Sequence, residues 1–180
     1  MWKRFASGLY HALGLKIVKG EIYVTCRDGL WRLNDLNKDG ECDFYEAFNH
    51  DVMVTKNFHE FVFDLQTDPA GNFHFIKAGP LKNGGRGFDE IMAHHGSMFR
   101  VSPDGKKFEV IATGFRAPNG IGVGPRGELT SGDNEGTWTP ACNQLDQTGR
   151  LLRRGPARAS RPAAARLRPP ALLVAEARGQ

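Results

Sequence analysis

Between Asp35 and Glu46 the chain reads Asp35-Leu36-Asn37-Lys38-Asp39-Gly40-Glu41-Cys42-Asp43-Phe44-Tyr45-Glu46, matching D-x-[DN]-x-[DN]-G-x5-E at every specified position. Alternating oxygen side chains at Asp35, Asn37 and Asp39 can converge on a hard cation. Gly40 permits the bend, the Glu41 carbonyl adds a ligand, Asp43 acts directly or through water, and Glu46 closes the shell with two oxygens. The chemistry is Ca2+ binding. A flanking pair of helices is not expected, because Leu30-Trp31-Arg32-Leu33 reads as a strand, so an ion here would brace a loop between strands. The alternative is an acidic surface turn that holds no ion. His94 and His95, beside Gly96, are candidates for lining a channel or for binding a metal, although neighbours on a strand face opposite ways and a joint site is disfavoured. Asp133-Asn134-Glu135-Gly136 is read as either an ion or substrate contact or a plain turn. Cys26, Cys42 and Cys142 form no C-x-x-C pair, which removes haem attachment and a cysteine zinc site within this chain.

These residues sit on a repeated frame. Ala6-Ser7-Gly8-Leu9 leads through Leu13-Gly14-Leu15 to Gly20-Glu21-Ile22-Tyr23-Val24, and Ala112-Thr113-Gly114-Phe115 leads likewise to Asn119-Gly120-Ile121-Gly122-Val123. Phe63 to Phe73 matches the second half of the unit, and the anchors Gly14, Asp64 and Gly120 lie 50 and 56 residues apart. Each unit reads as strand, tight turn, strand. Leu65 and Thr67 alternate with period two into Phe73 and Phe75 around Asp68-Pro69-Ala70-Gly71; Ser102-Pro103-Asp104-Gly105 and Gly124-Pro125-Arg126-Gly127 repeat that turn chemistry, with Pro presetting one corner and Gly accepting positive φ at the other. The fold class expected is all-β, a partial β-propeller of about three four-stranded blades over residues 1–145. A solenoid of β-hairpins is the alternative. Three blades cannot close a ring, so poor solubility is expected of the isolated chain.

The formal net charge is +4, and it comes from one end. Residues 146–180 hold eight Arg against Asp146 and Glu176, whereas the preceding chain holds 16 basic and 18 acidic groups. This tail has no Phe, Trp, Tyr or Lys. It reads as a disordered segment or as a shifted reading frame, since moving the codons of Asp146–Arg153 by one base can encode I-K-P-G-G-F-Y-G. Without aromatics for base stacking, a nucleic-acid role is not expected. No apolar run reaches the ~20 residues of a membrane span, and no apolar core follows the basic start to make an export signal.

The landmarks Asn57-Phe58-His59-Glu60-Phe61, His94-His95-Gly96, Val101-Ser102-Pro103-Asp104-Gly105 and Gly114-Phe115-Arg116-Ala117-Pro118-Asn119-Gly120 together resemble the six-bladed, TolB-like soluble quinoprotein glucose/sorbosone dehydrogenases. The propeller region of large secreted bacterial membrane-bound dehydrogenase-like proteins is more similar still. The resemblance implies a periplasmic or secreted location, a sugar or alcohol substrate and pyrroloquinoline quinone (PQQ) as cofactor. It implies that His59 takes the substrate proton, that Arg116 acts on the quinone, and that Arg116, Asn119, Asp133 and Asn134 contribute to its binding. Two positions depart from the pattern: Ala117 stands where the family has Asn, and Glu60 follows His59 in place of glycine. The expected function is thus a fragment of a quinoprotein-type dehydrogenase-like propeller, inactive alone. The alternative is a non-catalytic propeller module that binds carbohydrate or protein.

Overall fold

A computed structural model of the chain describes residues 1–85, 87–134, 141–145 and 151–154, the last two segments as backbone. The described residues form strands and turns without a helix. The first sheet is built from β1 (Gly14–Val18), β2 (Glu21–Cys26), β3 (Gly29–Asn34) and β4 (Phe44–Asn49). The second holds β5 (Val62–Thr67), β6 (Phe73–Lys77), β7 (Ser97–Val101) and β8 (Phe108–Thr113), and the third β9 (Pro118–Val123), β10 (Leu129–Asp133), β11 (Ala141–Leu145) and β12 (Leu151–Arg154). Each sheet is an antiparallel meander in sequence order, and the first strands lie side by side, β1 against β5 and β5 against β9. Sheets that converge on their first strands are blades around an axis. The architecture is all-β and a partial propeller.

Both faces of β6 are covered. Phe73 and Phe75 face the first blade in a core with Tyr23, Leu30, Val62, Leu65, Phe99 and Val101. Ile76 points the other way, into a core with Met98, Ala112, Phe115, Ile121 and Leu129 from the second and third blades. Every residue of β6 is buried, the polar His74 and Lys77 included. The first blade is covered differently. Phe5, Ala6 and Leu9 from the N-terminal segment pack on Val24, Cys26 and Leu33, while Leu15 and Ile17 on β1 remain 62% and 61% exposed.

The expected turns form with a shared geometry. Gly71 donates to the Asp68 carbonyl (2.9 Å), Gly105 to Ser102 (2.9 Å) and Gly127 to Gly124 (3.0 Å), each glycine having φ between 76° and 86°. The repeat anchors meet at the inner strands. A Cβ on Gly14 would overlap the Thr25 hydroxyl and the Asp64 carbonyl, and Thr25 Oγ1 donates to that carbonyl at 3.0 Å. Asp64 is bulged with φ 56°, and its carboxylate accepts the N–H groups of Leu65 (2.7 Å) and Ile121 (2.8 Å). One side chain therefore ties the second blade to the third.

The last strand adds a point the composition did not carry. Leu151–Arg154 pairs with Cys142–Leu145, so the third blade continues beyond Leu145 into the Arg-rich stretch. Ladder pairing needs backbone groups and a short extended run, which Leu151-Leu152 supplies. The remainder of the expected 146–180 tail lies outside the described residues.

Candidate functional site

In these meanders the connections alternate between two ends. One end carries the turns at 19–20, 35–43, 68–72, 102–107 and 124–128; the other carries 27–28, 50–61, 78–96 and 114–117. The candidates split accordingly, with His59, Arg116, Asp133 and Asn134 at the second end and the acidic loop at the first.

His59 sits one turn before β5. Its backbone N–H donates to Asn57 Oδ1 (2.9 Å) and its Nδ1 lies 3.1 Å from the Leu81 carbonyl. A carbonyl oxygen only accepts, so Nδ1 carries a proton, and in the neutral ring the lone pair is then on Nε2. Asn57 anchors the same place, donating to Leu81 O (3.0 Å) and Asp89 Oδ2 (2.6 Å). Phe58 lies against the imidazole with centroids 3.9 Å apart and the planes tilted by 33°. Phe58, Phe61 and Phe63 are expected from sequence as core; Phe58, in the turn before β5, is 53% exposed instead, while Phe61 and Phe63 are half-buried.

Arg116 lies in the short connection between β8 and β9. Its guanidinium donates to the Gly85 carbonyl and its own carbonyl accepts from Gly79 N–H at 2.8 Å. His59 and Arg116 are therefore both fastened to the connection between β6 and β7. Asn119 is exposed on β9. Asp133 ends β10 half-buried, and its two oxygens accept the N–H groups of Arg116 (3.0 Å) and Ala117 (2.9 Å). Burial pushes its carboxyl up against these hydrogen bonds. It fixes the Arg116 turn. Asn134 donates its N–H to Ala117 O (3.2 Å), and Glu135 and Gly136 lie outside the described residues.

His94 and His95 occupy a turn before β7 and not a strand, so the strand-alternation argument does not apply to them. Each ring is engaged separately: His94 Nδ1 accepts from Met53 N–H (2.9 Å) and His95 Nδ1 from Met92 N–H (3.0 Å).

At the opposite end the acidic loop folds around its own backbone. Asp35 Oδ2 accepts from Gly40 N–H (2.9 Å), Asn37 Oδ1 from Asp39 N–H (2.9 Å), Asp39 Oδ1 from Glu41 N–H (2.8 Å) and Asp43 Oδ2 from Leu36 N–H (2.7 Å). Asp35 Oδ1 is buried with no hydrogen-bond partner among the described residues. Glu46 is already on β4 opposite Arg32, whose guanidinium holds it at 2.6 Å. Among the described residues no three His, Cys, Asp or Glu side chains are grouped to hold a metal.

Sequence reasoning missed a buried polar assembly beside His59, made of Arg27, Glu60, Lys77 and His95. No local pattern marks it, because Arg27, Glu60, Lys77 and His95 come from separate segments of the chain.

No protein-family model matches the chain, and no curated protein matches it. Solved structures do, and what they share with it is the fold. A candidate gluconolactonase superimposes with a TM-score of 0.55 at 22% identity over 81% of this chain and 49% of its own. Virginiamycin B lyase from Staphylococcus aureus gives 0.46 at 15% over 79% and 40%. A gluconolactonase from Xanthomonas campestris gives 0.46 at 20% over 76% and 45%. The chain spans about half the length of the structures it matches.

Proposed function

We propose that these blades are part of a propeller that oxidises a sugar or alcohol in its complete form, at the end where His59 and Arg116 meet the β6–β7 connection. The observation that carries this reading is the contact of His59 Nδ1 with Leu81 O, which leaves Nε2 of the neutral ring to take a hydroxyl proton. PQQ, when bound, would accept the hydride. Arg116 and Asn119 are the residues of this chain suited to hold it. The guanidinium has N–H groups beyond the one given to Gly85, and the Asn119 amide is exposed. Asp133 supports them by capping the Arg116 turn.

We also propose that the acidic loop takes Ca2+ as a brace, through Asp35, Asn37, Asp39 and Asp43 with the Glu41 carbonyl. The partnerless Asp35 Oδ1 supports this. Glu46 joins the shell only by leaving Arg32.

The test, made on a complete propeller that carries these blades, combines titration with PQQ and dye-linked oxidation of glucose and simple alcohols. H59N is expected to lower turnover by about 10²–10⁴-fold with quinone binding kept. Binding of carbohydrate without quinone binding or turnover would replace this reading with that of a binding module.

A further inference from the structure

Glu60 and Lys77 are completely buried and Arg27 is 3% exposed, and all three converge on the connection between β4 and β5. Lys77 Nζ lies 2.8 Å from Glu60 Oε2 and also donates to the Met53 carbonyl. Arg27 donates to the carbonyls of Thr55 (2.9 Å), Asn57 and Phe58 (3.4 Å). Glu60 accepts the Thr55 N–H at 3.2 Å and the Thr55 hydroxyl. His95 Nε2 is 2.9 Å from Glu60 Oε1, off the hydrogen-bond axis. Because His95 Nδ1 accepts from Met92, its ring is neutral with the proton on Nε2, facing the carboxylate.

Buried ion pairs are weak contributors to stability, and apolar side chains of similar volume often serve as well. What this assembly does is grip four backbone carbonyls, those of Met53, Thr55, Asn57 and Phe58, on the approach to His59. From there Asn57 and His59 both reach the Leu81 carbonyl. We propose that Glu60, with Lys77, Arg27 and His95, is a positioning assembly that holds the His59 imidazole as its Nδ1–H tautomer with Nε2 directed away from the protein. The proposal rests on the reading of His59 as the proton acceptor.

The experiment is 15N NMR of the full chain carrying ring-labelled histidine, comparing wild type with E60Q and H95Q. In wild type, His59 is expected as the Nδ1–H tautomer. In both variants its signals should move toward the free-imidazole mixture, in which Nε2–H predominates, while His74, in contact with Asp68 at 3.1 Å, keeps its shifts. H95Q removes one off-axis contact and serves if E60Q does not fold. A wild-type His59 in the Nε2–H form, or an unchanged Nδ1–H signature in a folded variant, overturns the proposal. Turnover undiminished by H59N in a complete propeller that carries these blades would sink the proton-acceptor role while leaving the tautomer result standing.

Discussion

Burial pushes the Glu60 carboxyl up, yet contacts from His95, Lys77 and Thr55 outweigh it and hold the group at about 2. A carboxyl depressed below its ordinary value of 4.5 contributes stability above that value and loses it as pH falls toward 2. Burial also pulls the Lys77 ammonium down in spite of Glu60, so that group too loses stability as pH falls, from its ordinary value of 10.5 toward its folded one. Denaturant midpoints should therefore fall more steeply between pH 4.5 and 2 in wild type than in E60Q. At neutral pH, E60Q should be weaker by about 3–5 kcal/mol, the cost of leaving a buried cation unpaired. Parallel pH profiles would remove Glu60 from that role. At Gly14 the constraint is space. A Cβ there meets Thr25 and the Asp64 backbone, so G14A should cost about 1–3 kcal/mol in urea unfolding. A neutral G14A would mean that the inner strands are not in contact.

Among the elements, the acidic loop carries the clearest prediction. With Ca2+ in the millimolar range the chain should gain thermal stability, D35N should abolish the gain, and E46Q should leave most of it because Glu46 is held by Arg32. An equal loss in both variants would put Glu46 in the shell. The turns and the strands they join were legible in sequence because each is local: Pro and Gly fix the corner, and period-two alternation fixes the strand. The anchors Gly14, Asp64 and Gly120 were legible as a period but not as a contact. That Asp64 reaches Ile121 depends on blades packing side by side, 57 positions apart in sequence. His59 and Arg116 came from resemblance, and their shared attachment to the β6–β7 connection needed the fold. The Glu60 assembly was invisible because its partners come from four separate segments.

For the whole molecule the ordering of burial is decisive. The second blade is flanked on both faces, with Phe73, Phe75, Ile76, Met98 and Phe99 at 2% exposure or below. The first blade leaves Leu15 and Ile17 bare. Local opening follows buried contacts, so the three blades should differ in stability although they share one topology. Amide hydrogen exchange of the full chain tests the partial-propeller account most directly. Amides of β6 and β7 should exchange slowest, β5 should follow through its ties to β1 and β9, and β1 and β4 should exchange first. Slowest exchange in the first blade, or uniform rapid exchange across all three, would contradict the account.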